Sequence, residues 1–184
     1  MSIKSLSILS AVAAAALLSA CGSMTPMAPV FTQAGLPAAV MVPAGNKVAL
    51  ESVGVGELTY ECRDKANAPG MTEWVFVGPQ AALNDRSGKQ IGKYYGPPAT
   101  WEAMDGSKIT GTQVAVSAAG PGNIPLQLVK ANPAMGTGAM TGMTFIQRVA
   151  IKGGAAPTSS CTPANKGTKE IVKYQADYIF WKAA

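Results

Sequence analysis

Glu102 and Asp105 bracket the end of the stretch TWEAMDG, and two carboxylates so close together could work as acid and base on a glycoside. Such a pair must face one cleft, with its carboxyl groups roughly 5 to 9.5 Å apart. The simpler assignment makes Asp105 the turn residue ahead of Gly106 and leaves Glu102 as a solvated strand residue. Other catalytic chemistries lack their parts. With no histidine in the chain, Ser/His and Cys/His nucleophilic systems fail, and so does the commonest base near neutral pH. There is no Gly-rich strand-turn-helix fingerprint for a dinucleotide. Two cysteines without a histidine fall short of the usual set of N/S metal ligands. Met135, Met140 and Met143 sit among glycines and carry thioethers of the kind that select Cu(I), although a flexible loop is the simpler reading. The expectation is therefore no catalytic residue, no metal and no cofactor.

Binding chemistry has better material. Trp74, Tyr94, Tyr95 and Trp101 could form an aromatic platform for a sugar or peptidoglycan, because flat rings stack on saccharide faces. Trp74 and Trp101 serve equally well as core residues of a sheet. Arg148 lies in MTFIQRVAI, apolar on both sides, where it either holds an anionic ligand or pairs internally with Glu61 or Asp177, since buried charges need partners.

The elements that must position these residues are short extended runs separated by turn signals. Twenty Gly and thirteen Pro without a three-residue period argue for many turns and against a helical protein. Alternation is clear in KVALESV and in ELTYECR, where Leu58, Tyr60 and Cys62 share one face. Trp74 to Val77 reads as a short strand stopped by Gly78-Pro79, and Asp105-Gly106 is the strongest hairpin signal. Ile124 to Lys130 suits either a strand or a helical turn or two. In the last run, Val172, Tyr174, Ala176, Tyr178 and Phe180 share a face, the pattern of a strand well inside a sheet. The fold class expected is all-β, an antiparallel sandwich or barrel, in one domain over residues 40–184.

The amino end reads differently. Residues 1–20 carry Lys4 and then an apolar segment too short to span a bilayer, the form of an export signal. It ends in Leu18-Ser19-Ala20-Cys21, which resembles the bacterial lipobox, where cleavage precedes a cysteine that becomes lipidated. An ordinary secretory signal cut slightly later is the alternative. Lipidation of Cys21 leaves Cys62 and Cys161 to pair in an oxidising compartment. A buried and a surface free thiol would be the other outcome. More than one acyl chain anchors stably, and Gly22-Ser23 lacks the aspartate that retains such proteins at the inner membrane, which favours the outer membrane, facing periplasm or cell surface. Residues 21–39, uncharged and rich in Pro, read as a lipidated flexible tether. The net charge of +5 comes from cations scattered singly, so no nucleic-acid partner is expected.

In order along the chain, YECR, WVFVGPQAAL, GPPATWE, DGS, FIQRVAIKGGAAP with Cys161, and YQADYIF resemble the family of domain of unknown function 3455, secreted or lipidated proteins of bacteria and fungi. The resemblance covers nearly all of residues 40–181 and implies one mostly β domain with a cysteine pair. Where relatives tend to read His-Tyr-Ala-Gly-Pro-Thr-Trp, this chain has Tyr94-Tyr95-Gly96-Pro97-Pro98-Ala99-Thr100-Trp101, so a histidine-dependent role is excluded. The function expected is a non-enzymatic envelope lipoprotein that binds a ligand, a carbohydrate or an envelope protein. The alternative is a hydrolase using Glu102 and Asp105.

Overall fold

The computed structural model describes residues 31–184; the export signal expected over residues 1–20, the expected lipidation site Cys21 and the chain up to residue 30 lie outside the described residues. The two alternating runs at the start of the domain join into one long strand, β1 (Asn46–Asp64), which passes through Gly54 and Gly56 without a break. After it come β2 (Thr72–Asn84), β3 (Gln90–Tyr95), β4 (Thr100–Ala103), β5 (Lys108–Ser117), β6 (Leu126–Ala131), β7 (Met143–Gly153) and β8 (Lys169–Ala183). Each strand runs antiparallel to the next, and β8 returns to pair with β1, so the sheet closes into an eight-stranded barrel. Closure removes the sheet edges that would otherwise invite association.

The expected period-2 faces become the inner wall. Leu58, Tyr60, Tyr174, Ala176, Tyr178 and Phe180 are buried in the barrel core. Asp105-Gly106 forms the β4–β5 turn, with Gly106 at a φ of 84° that glycine adopts without strain. In the 124–130 segment the strand alternative holds from Leu126 onward, as β6. Gly78-Pro79 does not stop β2, contrary to expectation, because β3 reaches β2 only from Gln80 onward. At Pro79 one side of the strand has no ladder to supply, and its missing N–H costs nothing there.

One end of the barrel is plugged by the β6–β7 connection. Met140 is buried against the core, its N–H donating to Ser107 Oγ at 3.1 Å, while Ala139 N–H donates to Asp105 Oδ2 at 2.7 Å. Met140 and Met143 are therefore core residues and Met135 is exposed. At the opposite end Cys62 and Cys161 are joined, with a Cα–Cα distance of 5.4 Å. Trp74 Nε1–H donates to Ser159 O at 2.8 Å and Thr72 Oγ1–H to Cys161 O at 2.8 Å, which pins the long β7–β8 connection to β2.

The domain begins earlier than residue 40. Residues 31–39 are not a tether: Phe31, Leu36, Val40 and Val42 pack on the outer faces of Leu128, Val149, Ile179 and Trp181. The strap is stitched by one buried amide. Gln147 Nε2 donates to Val40 O at 2.6 Å and to Gln33 Oε1 at 2.8 Å, and its Oε1 accepts from Trp181 Nε1–H at 2.9 Å. A Gln147→Leu change keeps the volume but leaves Val40 O and Trp181 N–H buried without partners. It should cost roughly 1–3 kcal/mol by urea denaturation and expose residues 31–42 to proteolysis. An unchanged midpoint would show that the apolar contacts alone hold the strap.

Candidate functional site

Alternation decides which of the expected site residues meet. On β3, Tyr94 points inward and Tyr95 outward; on β4, the register sets Trp101 opposite Tyr94. The two inward rings stack with centroids 4.8 Å apart and planes inclined by 21°. Tyr178 of β8 closes on both, at 5.1 Å from Tyr94 and 5.9 Å from Trp101. On β7, Ile146 and Arg148 face inward while Gln147 and Val149 face the strap.

These walls enclose a cavity of about 380 Å³ near the end of the barrel that bears the β3–β4 and β5–β6 connections. Leu58, Tyr60, Tyr94, Trp101, Ile124 and Arg148 line it. Phe76, 48% exposed, stands at its rim edge-on to Tyr60, with ring centroids 5.8 Å apart.

The electrostatics of this cavity are lopsided. Arg148 donates from Nη2 and Nε to the Pro125 carbonyl at 3.0 and 3.3 Å. No carboxylate lies within 4.0 Å of it among the described residues. The internal partners expected for it are engaged elsewhere: Glu61 with Arg63 at 3.1 Å and Lys169 at 3.8 Å, Asp177 with Arg86 at 2.7 Å. Four phenols feel the guanidinium. Burial raises the pKa of Tyr60, Tyr94, Tyr174 and Tyr178, and the Arg148 charge partly offsets this at each. The phenols stay neutral, so they do not balance the cation. One further polar group is unsatisfied: the Trp101 indole N–H is buried without a hydrogen-bond partner.

Of the five candidate binding residues, then, Tyr94, Trp101 and Arg148 come together. Trp74 and Tyr95 do not join them. Trp74 spends its N–H on Ser159, and Tyr95 on the outer face donates its hydroxyl to Glu102 Oε2 at 2.6 Å. The four rings thus form no single platform. Tyr60 lines the site and was expected only as core, and Tyr178 packs against the Tyr94–Trp101 pair; their inward faces were visible in the alternation, but not which interior face borders a cavity.

Glu102 and Asp105 also separate. Glu102 points outward, held below the ordinary carboxylate range by the Tyr95 hydroxyl and then by Lys93, whose Nζ is 3.2 Å away. Asp105 sits in the turn at the plugged end, its carboxylate lowered first by the Ser107 hydroxyl at 2.6 Å and then by the Ala139 N–H. Neither lines the cavity, and neither has the raised pKa that a general acid needs.

No curated protein and no solved structure matches this chain. A family model described as a protein of unknown function (DUF3455) matches residues 43–182. That span runs from just before β1 to within a residue of the end of β8. It takes in the barrel, the cysteine pair and every residue of the cavity, and the chain belongs to the DUF3455 family.

Proposed function

We propose that this protein is an envelope-anchored lipoprotein whose barrel binds a small ligand without transforming it. The observation that carries the binding reading is the cavity in which an uncompensated arginine adjoins a stacked Tyr94–Trp101 pair. Concave, mostly apolar sites with a few convergent polar groups are the usual form of small-ligand sites. A glycosidase is not favoured, since its two carboxyls would have to face one cleft. The anchoring half of the proposal is supported by cysteine parity: Cys62 and Cys161 pair, which leaves Cys21, at the end of the lipobox-like sequence, as the remaining thiol.

Both halves have direct tests. In a Gram-negative host the wild type should carry acyl mass and fractionate with membranes, whereas Cys21→Ala should be soluble. Soluble wild type, cut downstream of Cys21, would refute the anchor. For binding, thermal unfolding is followed against a panel of small anionic, neutral and cationic aromatics. At least one member should raise the midpoint, as any ligand selective for the native state must; no response from any of them would refute the binding reading.

A further inference from the structure

We infer that the cavity takes an aromatic monocarboxylate, its anionic head on Arg148 and its flat apolar body against Tyr94, Trp101 and Leu58. The inference rests on the binding reading above and adds the chemical class. Charge sets the first requirement. Among the described residues Arg148 is the only ionised one lining the cavity, and no carboxylate lies beside it. It is half-buried, so an anion entering the cavity would meet it with no competing carboxylate. A single cation suits a single negative charge; a phosphate ester or other dianion would call for more.

Geometry sets the second requirement. The guanidinium offers a planar fork of N–H donors; Nε and Nη2 both donate to the Pro125 oxygen, and the Tyr94 hydroxyl is close enough to accept from it as well. The remaining N–H groups of the fork face a ligand, and a carboxylate matches two parallel N–H groups better than any other small acceptor. The Trp101 indole N–H, a buried donor without a partner, is a further group that an acceptor on the ligand would satisfy.

Size and wall chemistry set the third. At about 380 Å³ the cavity suits one or two rings rather than a lipid or an oligosaccharide. Its remaining walls include Ala99, Ile124 and Val129, which offer apolar contact, and Gln113 and Gln127, whose amides bond to each other at 2.7 Å and so have less to give a ring of hydroxyls. A cationic aromatic would meet Arg148 head-on.

Cinnamate, cinnamamide and cinnamylamine share one body and differ in charge, so they test the class by calorimetry on the purified chain. Cinnamate should bind at least about tenfold tighter than cinnamamide, with cinnamylamine weakest, because a charge-assisted hydrogen bond exceeds a neutral one. Arg148→Gln should bring cinnamate down to the affinity of the amide while leaving the amide unchanged. Arg148→Lys should keep part of the preference, which guards against loss of fold as the explanation. Trp101→Phe, which keeps an aromatic face but loses the pyrrole ring and its N–H, should weaken cinnamate by about threefold or more. Equal affinity for acid and amide, or a preference that survives Arg148→Gln, would overturn the carboxylate inference and leave cavity binding standing. Failure of all three probes to bind at millimolar concentration would overturn the binding reading together with it.

Discussion

A chain carrying Cys62→Ser and Cys161→Ser is expected to unfold at much lower urea than the oxidised protein, with a loss of roughly 4–5 kcal/mol. The magnitude comes from the loop the bridge closes. Its ends are 99 positions apart, so the open unfolded chain gains the entropy of a loop that includes most of the barrel. The folded state changes less. The same corner is held by Trp74 and Thr72, and by backbone bonds from Cys62 N–H to Thr168 O at 3.0 Å and from Gly167 N–H to Cys62 O at 2.8 Å. A domain of this size is stable by about 5–15 kcal/mol, so the open chain should still fold, with little margin. Reducing the wild type should reproduce the shift, since the bridge and not the serine is responsible. A loss below about 1 kcal/mol would mean that the unfolded chain is already restrained near these residues, which chain entropy does not include.

The barrel was legible from its ends. The alternation in ELTYECR and in the last run placed Leu58, Tyr60, Tyr174 and Tyr178 on inner faces, and the structure puts them in the core. That those two strands pair with each other was not legible, because period-2 patterning gives a strand its faces and not its neighbours. Pro79 misled for a related reason: its tolerance depends on where β3 begins, which is a matter of sheet geometry. The strap was missed because Pro-rich, uncharged sequence resembles a linker. The usable signal was the recurrence of Phe31, Leu36, Val40 and Val42, together with Gln33, whose amide clasps Val42 through Oε1 at 2.6 Å and Nε2 at 3.0 Å.

The site was legible by type and not by arrangement. Arg148 stood out as a cation in an apolar run, yet whether it found an internal partner depended on Glu61 and Asp177, whose outward positions gave them to Arg63 and Arg86 instead. Tyr94 and Tyr95 are adjacent, so only one could face inward, and the choice followed from the Tyr94–Trp101 register across a four-residue strand. The outer wall argues in the same direction as the inner one. It bears ion pairs such as Lys93 with Glu102 and Arg86 with Glu51 at 2.8 Å, so charge is on the outside and Arg148 is the exception within. A cation facing the cavity without a carboxylate partner marks where function departs from packing.

The interior ring cluster carries the second large expected effect. Tyr178 is fully buried between Tyr94 and Trp101, and Tyr178→Ala should cost about 3–5 kcal/mol in urea denaturation, the range for truncating a large aromatic in a core. Tyr178→Phe removes only the hydroxyl, which lies 3.1 Å from that of Tyr174, and should cost about 1 kcal/mol. The ring fits because β1 carries only Ser52 in register with it and no side chain at Gly54, two residues on. A Cβ on Gly54 would lie 2.5 Å from Tyr178 Cε2, so Gly54→Ala should itself cost about 1–3 kcal/mol by overpacking. In the Tyr178→Ala background the same methyl enters space the ring has left. The double variant should therefore be more stable than the sum of the single losses, by a coupling of about 0.5–3 kcal/mol. Strict additivity would mean that Gly54 is required for the path of β1 rather than for the ring, and the packing account of the ring cluster would have to be given up.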